Sequence, residues 1–344
     1  MTRPAFAPSP LARGLLRLVV TLLLAGVAAL TLAQRAGTVG PWWLELSRYL
    51  PYPALAAPAI VALLLSRGLG WRWTLASLAV LVLVATVTMG LVWSTPDPGP
   101  ANLRLMSYNV KAVKAAQRSG GFAALAREVA LQHPDILLMQ DARGLVDARV
   151  GVDGPPGSMF GLPEISAYDQ YVIASRWPLH DCRPGRVGDI GFLQCEVALP
   201  GGSLQLVTVH FESPRNGLNA TRREGLEGAA EWRRNYDERL AQSRLLAAAL
   251  RTTPRPLVVA GDLNAPDTSS VVRTLLDLGL RDVFSAGGRG YGYSYGQALP
   301  LGFSFLRIDH ILASPEIGVV HCEIGHAGPS EHRPVVADLS LTRR

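Results

Sequence analysis

The chain has 344 residues, of which 49 % are hydrophobic and 17 % charged, with a net charge of +6. That is long enough for two domains and too apolar for a single soluble fold. The charge is unevenly placed: residues 1–100 hold seven Arg against Glu45 and Asp97, a net of +5, while residues 101–344 hold 26 Lys and Arg against 25 Asp and Glu, a net of +1. A basic chain usually argues for a nucleic-acid partner, but here the excess sits in the first third and the near-neutral remainder lends that inference no weight. Three cysteines, Cys182, Cys195 and Cys322, without CxxC spacing, exclude a disulfide scaffold and a structural zinc site.

Residues 15–33 are apolar apart from Arg17, and residues 73–93 carry no charge. At about 1.5 Å per residue, each helix would cross about 30 Å of hydrocarbon. Residues 49–66 form a shorter apolar run holding Pro51, Pro53 and Pro58. Trp42, Trp43, Tyr49, Tyr52, Trp71, Trp73 and Trp93 fall near the ends of these runs, where interfacial aromatics belong. The first run alone could be a signal peptide, but two more follow it and no small-residue cleavage site precedes a soluble domain. The expectation is an uncleaved, three-helix membrane anchor over residues 1–93. Arg3, Arg13, Arg17, Arg67 and Arg72 fall on one side of such an anchor and Arg35 and Arg48 on the other. This asymmetry sets the N-terminus in the cytoplasm, and three crossings place the following domain outside. If the proline-bearing run does not cross, that domain is cytoplasmic. Residues 94–101 (STPDPGPA) read as a linker reaching at most about 25 Å.

Beyond residue 102 the pattern changes to short strands and amphipathic helices. Strands are predicted at 103–109, 136–139, 171–175, 192–199, 204–210, 257–260, 308–312 and 334–341, by alternation or by short buried-type apolar runs. Phe122, Leu125, Ala126 and Val129 have helical spacing, as do Trp232, Tyr236, Leu240, Ala247 and Leu250, and residues 269–278 form a helix stopped by Gly279. Strands outnumber helices and several are adjacent, which argues for an α/β domain with mixed sheets over residues 102–344.

Polar residues recur at the ends of the apolar strand runs: Asn109, Gln140–Asp141, His210, Asp262 and Asn264 just after them, and Asp309–His310 and Glu331–His332 just before them. Singly, each reads as a turn or cap residue. Together they could converge at one sheet edge, and carboxylate and amide oxygens suit Mg²⁺ or Mn²⁺. The ordered motifs SYNV (107–110), LLMQD (137–141), TVHFE (208–212), GDLNAPD (261–267), RIDHIL (307–312) and SEHRPVVADL (330–339) resemble those of the endonuclease/exonuclease/phosphatase superfamily. That group includes deoxyribonucleases, abasic-site endonucleases, sphingomyelinases and inositol-phosphate phosphatases.

The resemblance implies a four-layer α/β sandwich of two packed mixed sheets and a divalent-metal-dependent phosphoesterase. By it, Asp141, Glu331 and Asn109 lie at the metal. Asn109, Asn264 and His210 contact the phosphate, and His210 assists the leaving group. Asp262 aligns or deprotonates the attacking water, and Asp309 orients a cationic His332 that stabilises the phosphoryl oxygens. Two positions depart from the superfamily pattern: Asp141 stands where a glutamate is usual and Glu331 where an aspartate is usual, so the reach of each carboxylate shifts by about 1–1.5 Å. A metal displaced toward Glu331 keeps the site whole. The alternative is a catalytically degenerate, membrane-anchored module that binds phosphate ligands.

The resemblance implies a phosphate-ester substrate, for which the short linker favours a lipid head group, with nucleic acid as the second choice. Nothing calls for an obligate protein partner. Cys182 and Cys195 fit a disulfide or two buried thiols equally. Arg215, Arg222, Arg223, Arg233 and Arg234, interleaved with glutamates, fit a self-paired solvated face, and Gly287–Gly296 with three tyrosines fits a loop rimming the site.

Overall fold

The computed structural model describes residues 9–36, 40–50, 52–145 and 158–341. Arg3 and Pro51, used in reading the N-terminal segment, lie outside them. Helix α1 runs over Pro10–Arg35, and the short α2 (Trp42–Ser47) follows. Next come α3 (Tyr52–Ser66), with Pro58 inside it, and α4 (Trp71–Leu83), which continues as a π-helical turn, Val84–Thr88. The α1 helix packs on α3 and α4, and α3 on α4. Thr31 and Thr88 share a buried hydrogen bond of 2.6 Å between α1 and the π turn. Pro10–Arg35 and Trp71–Thr88 are long and apolar enough to cross a bilayer. The 15 residues of α3 fall short of the usual span of about 20.

The third apolar helix ends at Thr88 rather than at Trp93. Gly90, at φ +72°, adopts a left-handed conformation that stops a helix, and Val92–Trp93 form a strand, β1. The predicted linker is also not a free tether. Ser94 donates through N and Oγ to the Gly288 carbonyl, and Asp97 accepts from Arg281 (2.8 Å) and the Val319 amide (2.9 Å).

The remaining elements in chain order begin with β2 (Leu103–Asn109), α5 (Ala112–Ala116), α6 (Gly121–Gln132) and β3 (Ile136–Gln140). Strands β4 (Glu164–Tyr168), β5 (Tyr171–Ser175), β6 (Leu179–Val187), β7 (Ile190–Leu199) and β8 (Gly202–His210) follow. Helices α7 (Arg215–Glu224) and α8 (Ala229–Leu250) lead to β9 (Leu257–Asp262), α9 (Ser270–Leu276) and β10 (Arg281–Asp282). The chain closes with α10 (Val283–Gly287), β11 (Arg289–Gly290), β12 (Asp309–Ala313), β13 (Ile317–Ile324) and β14 (Val335–Leu341). The short β1 pairs antiparallel with β11.

Two six-stranded sheets result, ordered β10-β12-β9-β8-β7-β6 and β13-β14-β2-β3-β5-β4. Within them only the pairs β2–β3 and β8–β9 are parallel, each joined by helices, because a parallel connection needs a crossover. Leu105, Ile173, Leu206, Val258 and Ala337 belong to one buried cluster between the sheets. Trp232, Leu240, Val259 and Val271 bury α8 and α9 on one outer face, and Leu125, Val129, Leu137 and Met139 bury α6 on the other. The layers are therefore helix, sheet, sheet, helix. Cys182 and Cys195 are joined by a disulfide across β6 and β7, and Cys322 is a buried free thiol.

The segment between α1 and α3 is docked on this sandwich. Glu45 and Arg48 form an ion pair of 2.7 Å with both side chains 1 % exposed. Glu45 also accepts from Ser269 Oγ (2.9 Å) and from the Ser270 amide (3.2 Å) and hydroxyl (3.1 Å). Trp232 Nε1 donates to the Trp42 carbonyl at 2.9 Å, and the Tyr49 ring stands edge-on to Trp232. Removing one partner of a buried pair strands the other charge. Glu45→Ala is therefore expected to destabilise the full chain by about 3–5 kcal/mol, measured by denaturant unfolding in lipid nanodiscs. Unchanged stability would show that the docked segment contributes nothing.

Candidate active site

The parallel pairs aim their C-terminal ends at one edge. Asn109 ends β2 opposite Gln140, and His210 ends β8 opposite Asp262, which is also opposite Asp309 at the start of β12. The close approach of β9 to β8 requires Gly261: at φ +151°, a Cβ there would lie 1.9 Å from the Val209 carbonyl oxygen. Asp262 is 1 % exposed. Its Oδ1 accepts from the Asn264 amide (2.9 Å) and its Oδ2 from Asn109 Nδ2 (2.8 Å). Nε2 of His210 and of His332 lie 3.4 and 3.6 Å from Oδ2. Burial alone would raise the pKa of this carboxyl, but His332, His210 and Lys111 outweigh it and hold Asp262 below the ordinary aspartate range.

His332 precedes β14 and bonds Asp309 Oδ2 through Nδ1 at 2.9 Å, while Ser294 Oγ donates to the same oxygen at 2.6 Å. The Tyr295 ring lies 4.7 Å from the imidazole. Burial disfavours the imidazolium, yet the carboxylates of Asp309 and Asp262 more than offset it, so the pKa of His332 stands above that of a free histidine. His210 has the opposite balance: burial dominates and lowers its pKa. Gln170 Oε1 lies 2.8 Å from His210 Nδ1, and Nε2 on the other side of the ring lies 3.4 Å from Asp262 Oδ2.

The two carboxylates that depart from the superfamily pattern are each paired with a lysine. Asp141 Oδ2 lies 2.8 Å from Lys111 Nζ, and Glu331 Oε1 lies 2.8 Å from Lys114 Nζ, with Arg118 and Arg215 at 3.9 and 3.7 Å from Glu331. Lys111 and Lys114 are the only lysines among 33 basic residues. The Lys111 ammonium acts on Asp141, Asp262 and Glu331 together. Against the upward push of burial, Lys111 lowers the pKa of Asp141, and Lys114 first among the cations lowers that of Glu331. Lys111, Asp141 and Asn264 all take left-handed backbone conformations, with φ of 44°, 53° and 48°, a geometry Asn and Asp tolerate and lysine adopts at a cost of about 1–3 kcal/mol.

Asn109, Asp141 and Glu331 offer hard oxygens that suit Mg²⁺ or Mn²⁺, and Glu331 Oε2 is buried and accepts no hydrogen bond. A second group, Asp262, Asp309 and His332, has one ligand atom from each residue within 4.8 Å of the others. In that group Asp309 Oδ2 is already bonded to His332 and Ser294, and an ion at the first set would have to displace Lys111 from Asp141.

The predicted residues Asn109, His210, Asp262, Asn264, Asp309 and His332 thus meet at one edge, with Asp141 and Glu331 beside them on the two lysines. The Asn264 side-chain amide donates to the Phe211 carbonyl at 2.9 Å, and the residue lines the cleft. Ser294, Gln170 and the two lysines were not singled out in the sequence; lysine scarcity was the available signal. The loop 287–296 does rim the site and is held to it by Ser294 and Tyr295. Of the arginine group, Arg234 pairs with Glu231 and Arg233 with Asp237, as a self-paired face should, whereas Arg215 reaches the site. Like charges about 4 Å apart repel by about 4 kcal/mol at a protein-like dielectric. Lys111→Met should therefore tighten Mg²⁺ binding by at least about tenfold in calorimetry; equal affinity in both proteins would show that Lys111 does not compete with the ion.

Residues 106–332 match the Endonuclease/Exonuclease/phosphatase family. No curated protein matches the chain. An endonuclease/exonuclease/phosphatase from Bacteroides vulgatus superposes with a TM-score of 0.51 at 18 % identity, over 70 % of this chain and 99 % of that one. A functionally unknown conserved protein from Enterococcus faecalis V583 superposes with a TM-score of 0.50 at 12 % identity, over 70 % and 100 %. At these identities the superpositions speak for the shared fold, and the matched span carries five of the six ordered motifs and the start of the last. The chain belongs to the endonuclease/exonuclease/phosphatase family, whose members are generally metal-dependent phosphoesterases and nucleases.

Proposed function

We propose that the chain is a membrane-tethered, divalent-metal-dependent hydrolase of phosphate esters. The observation that carries this reading is the buried Asp262 carboxylate, held by Asn109 and Asn264 and flanked by two imidazoles of opposite pKa tendency. In such a site Asp262 orients a water and takes its proton once bonding to phosphorus has made that water acidic. The cationic His332, fixed by Asp309, balances charge growing on the phosphoryl oxygens. His210 stands beside Asp262, its Nε2 3.4 Å from Oδ2, placed to contact the phosphate near the departing oxygen. Mg²⁺ or Mn²⁺, held by Asp141, Glu331 and Asn109, would supply further positive charge at the phosphate. The pairing of Asp141 and Glu331 with lysines favours the second reading, a degenerate phosphate-binding module, because these cations occupy the carboxylates an ion needs.

The helices support a tether in which the domain lies outside the cytoplasm. The C-terminal end of α1, the N-terminal end of α3 and the end of the π turn all face the sandwich: Arg35 pairs with Asp267, residues 42–49 dock on α8, and Met89 accepts from Tyr293. Three antiparallel crossings would satisfy that arrangement, with the 15-residue α3 as the short one. The Cys182–Cys195 disulfide agrees with an oxidising side of the membrane.

Sealed right-side-out vesicles bearing the full chain are expected to hydrolyse an impermeant aryl phosphodiester with Mg²⁺, to lose this with chelator, and to lose about 10²–10⁴-fold in rate with Asp262→Ala. Hydrolysis only after permeabilisation would refute the orientation, and none at all would refute the enzyme. Activity should fall as pH rises through the elevated His332 pKa. Asp309→Asn removes the charge that elevates it, so the alkaline limb of the pH–rate profile should move to lower pH; an unmoved limb would show that His332 does not act as a cation.

A further inference from the structure

The catalytic edge opens into a cleft of about 500 Å³ whose polar floor includes Lys111, Asp262, Asn264 and His332. Its wall has a different chemistry: Leu46, Leu50, Leu218, Leu299, Phe305 and Leu306 line it. Leu46 and Leu50, with Tyr49, come from the segment between α1 and α3, upstream of the span 106–332 that matches the family. Leu50 is 47 % exposed toward that cleft. Tyr49 fixes the segment in place, its hydroxyl donating at 2.7 Å to the carbonyl of Asn264 in the GDLNAPD turn. The wall therefore joins the catalytic floor without a break, and part of it comes from chain lying between two apolar helices.

A phosphate by itself needs only donors and cations, which the floor supplies. A nucleic-acid strand would call for basic residues tracking its backbone and aromatic faces for its bases; Arg215, Arg222 and Tyr295 also line this cleft, but its surface is mostly apolar and leucine is its commonest lining residue. Exposed aliphatic surface rimmed by polar groups marks the place where an apolar partner sits. We infer that Leu46, Leu50 and Leu218 form a subsite for the hydrocarbon chain of the substrate, making it an amphipathic phosphoester drawn from the lipid leaflet. The inference rests on the phosphoesterase reading and on the tether. The α1–α3 segment then has two tasks: holding the GDLNAPD turn from behind and presenting Leu46 and Leu50 to the lipid.

The test uses the full chain in nanodiscs and three p-nitrophenyl phosphodiesters that share one leaving group, with a methyl, an octyl or a 5′-thymidyl group as the other ester. Octyl should be preferred over methyl by at least about a hundredfold in kcat/KM, since a few extra methylenes on an apolar wall suffice for that. It should be preferred over thymidyl as well. Leu50→Asp should cut the octyl-to-methyl ratio at least about tenfold, and Leu50→Met should keep it. Because this is a ratio within one preparation, loss of folded protein cancels. Leu218→Asn, on α7, serves if Leu50→Asp does not fold. Calorimetry with octyl phosphate and methyl phosphate, on the same nanodiscs and on those bearing Leu50→Asp, gives a readout independent of turnover. Hydrolysis without octyl preference, or with thymidyl preferred, overturns the subsite and leaves the phosphoesterase standing. Tail-selective binding that Leu50→Asp abolishes, with no ester hydrolysed, keeps the subsite and overturns the phosphoesterase.

Discussion

Asp262 carries a negative charge at a position 1 % exposed to solvent. Desolvating a carboxylate without compensation costs several kcal/mol, so the surroundings of this one side chain are constrained from every direction. An amide from Asn109, a backbone N–H from the turn that follows it, two imidazoles and an ammonium supply the compensation. Each arrives from a different strand end or turn. The register of β8 on β9, the start of β12 opposite Asp262 and the turn at Asn264 all serve to deliver those partners. The same compensation leaves the carboxylate ionised and aimed at the cleft.

The sheets meet this demand with two similar units. Each contains a parallel pair bridged by helices, β2–β3 by α5 and α6 and β8–β9 by α7 and α8. The two sheets stack so that both pairs end at the same edge. One unit contributes Asn109, Asp141 and the lysines, and the other His210, Asp262 and Asn264. Neither is complete alone. The β12–β14 stretch closes the arrangement with Asp309 and His332, and Ser294 and Tyr295 brace that pair from the rim.

Much of this was legible in the sequence where burial and chemistry coincide. The runs ILLMQ and LVVAGD are buried throughout, and the polar residue that closes each, Gln140 and Asp262, marks the strand end at the site. Edge strands were less legible. Strand β6 contains Asp181, Arg183, Pro184 and Gly185 and is mostly exposed, and β13 is only partly buried, because an edge has fewer neighbours to demand apolar residues. Helix α7 is polar overall, with Leu218 and Ala220 among arginines and asparagines, so it read as a charged surface rather than as a packed helix. Gln170 lies 40 residues from the histidine it orients, a distance no local pattern bridges. Glu45 could have been noticed: one of only two acids in the first 100 residues, set among tryptophans and leucines, it required a buried partner that the apolar helices could not provide.

The way residues 94–97 lie on the sandwich bears on how the protein would respond to a protease. A cut between Ser94 and Ala101 severs the covalent path from the helices to the sheets, yet it leaves several non-covalent attachments. β1 stays on β11, Glu45 stays among Ser269 and Ser270, and Trp42 stays on Trp232. The two fragments would remain one particle. Release of the sandwich alone would require prying apart buried polar contacts, and the released piece would carry the bared underside of the GDLNAPD turn.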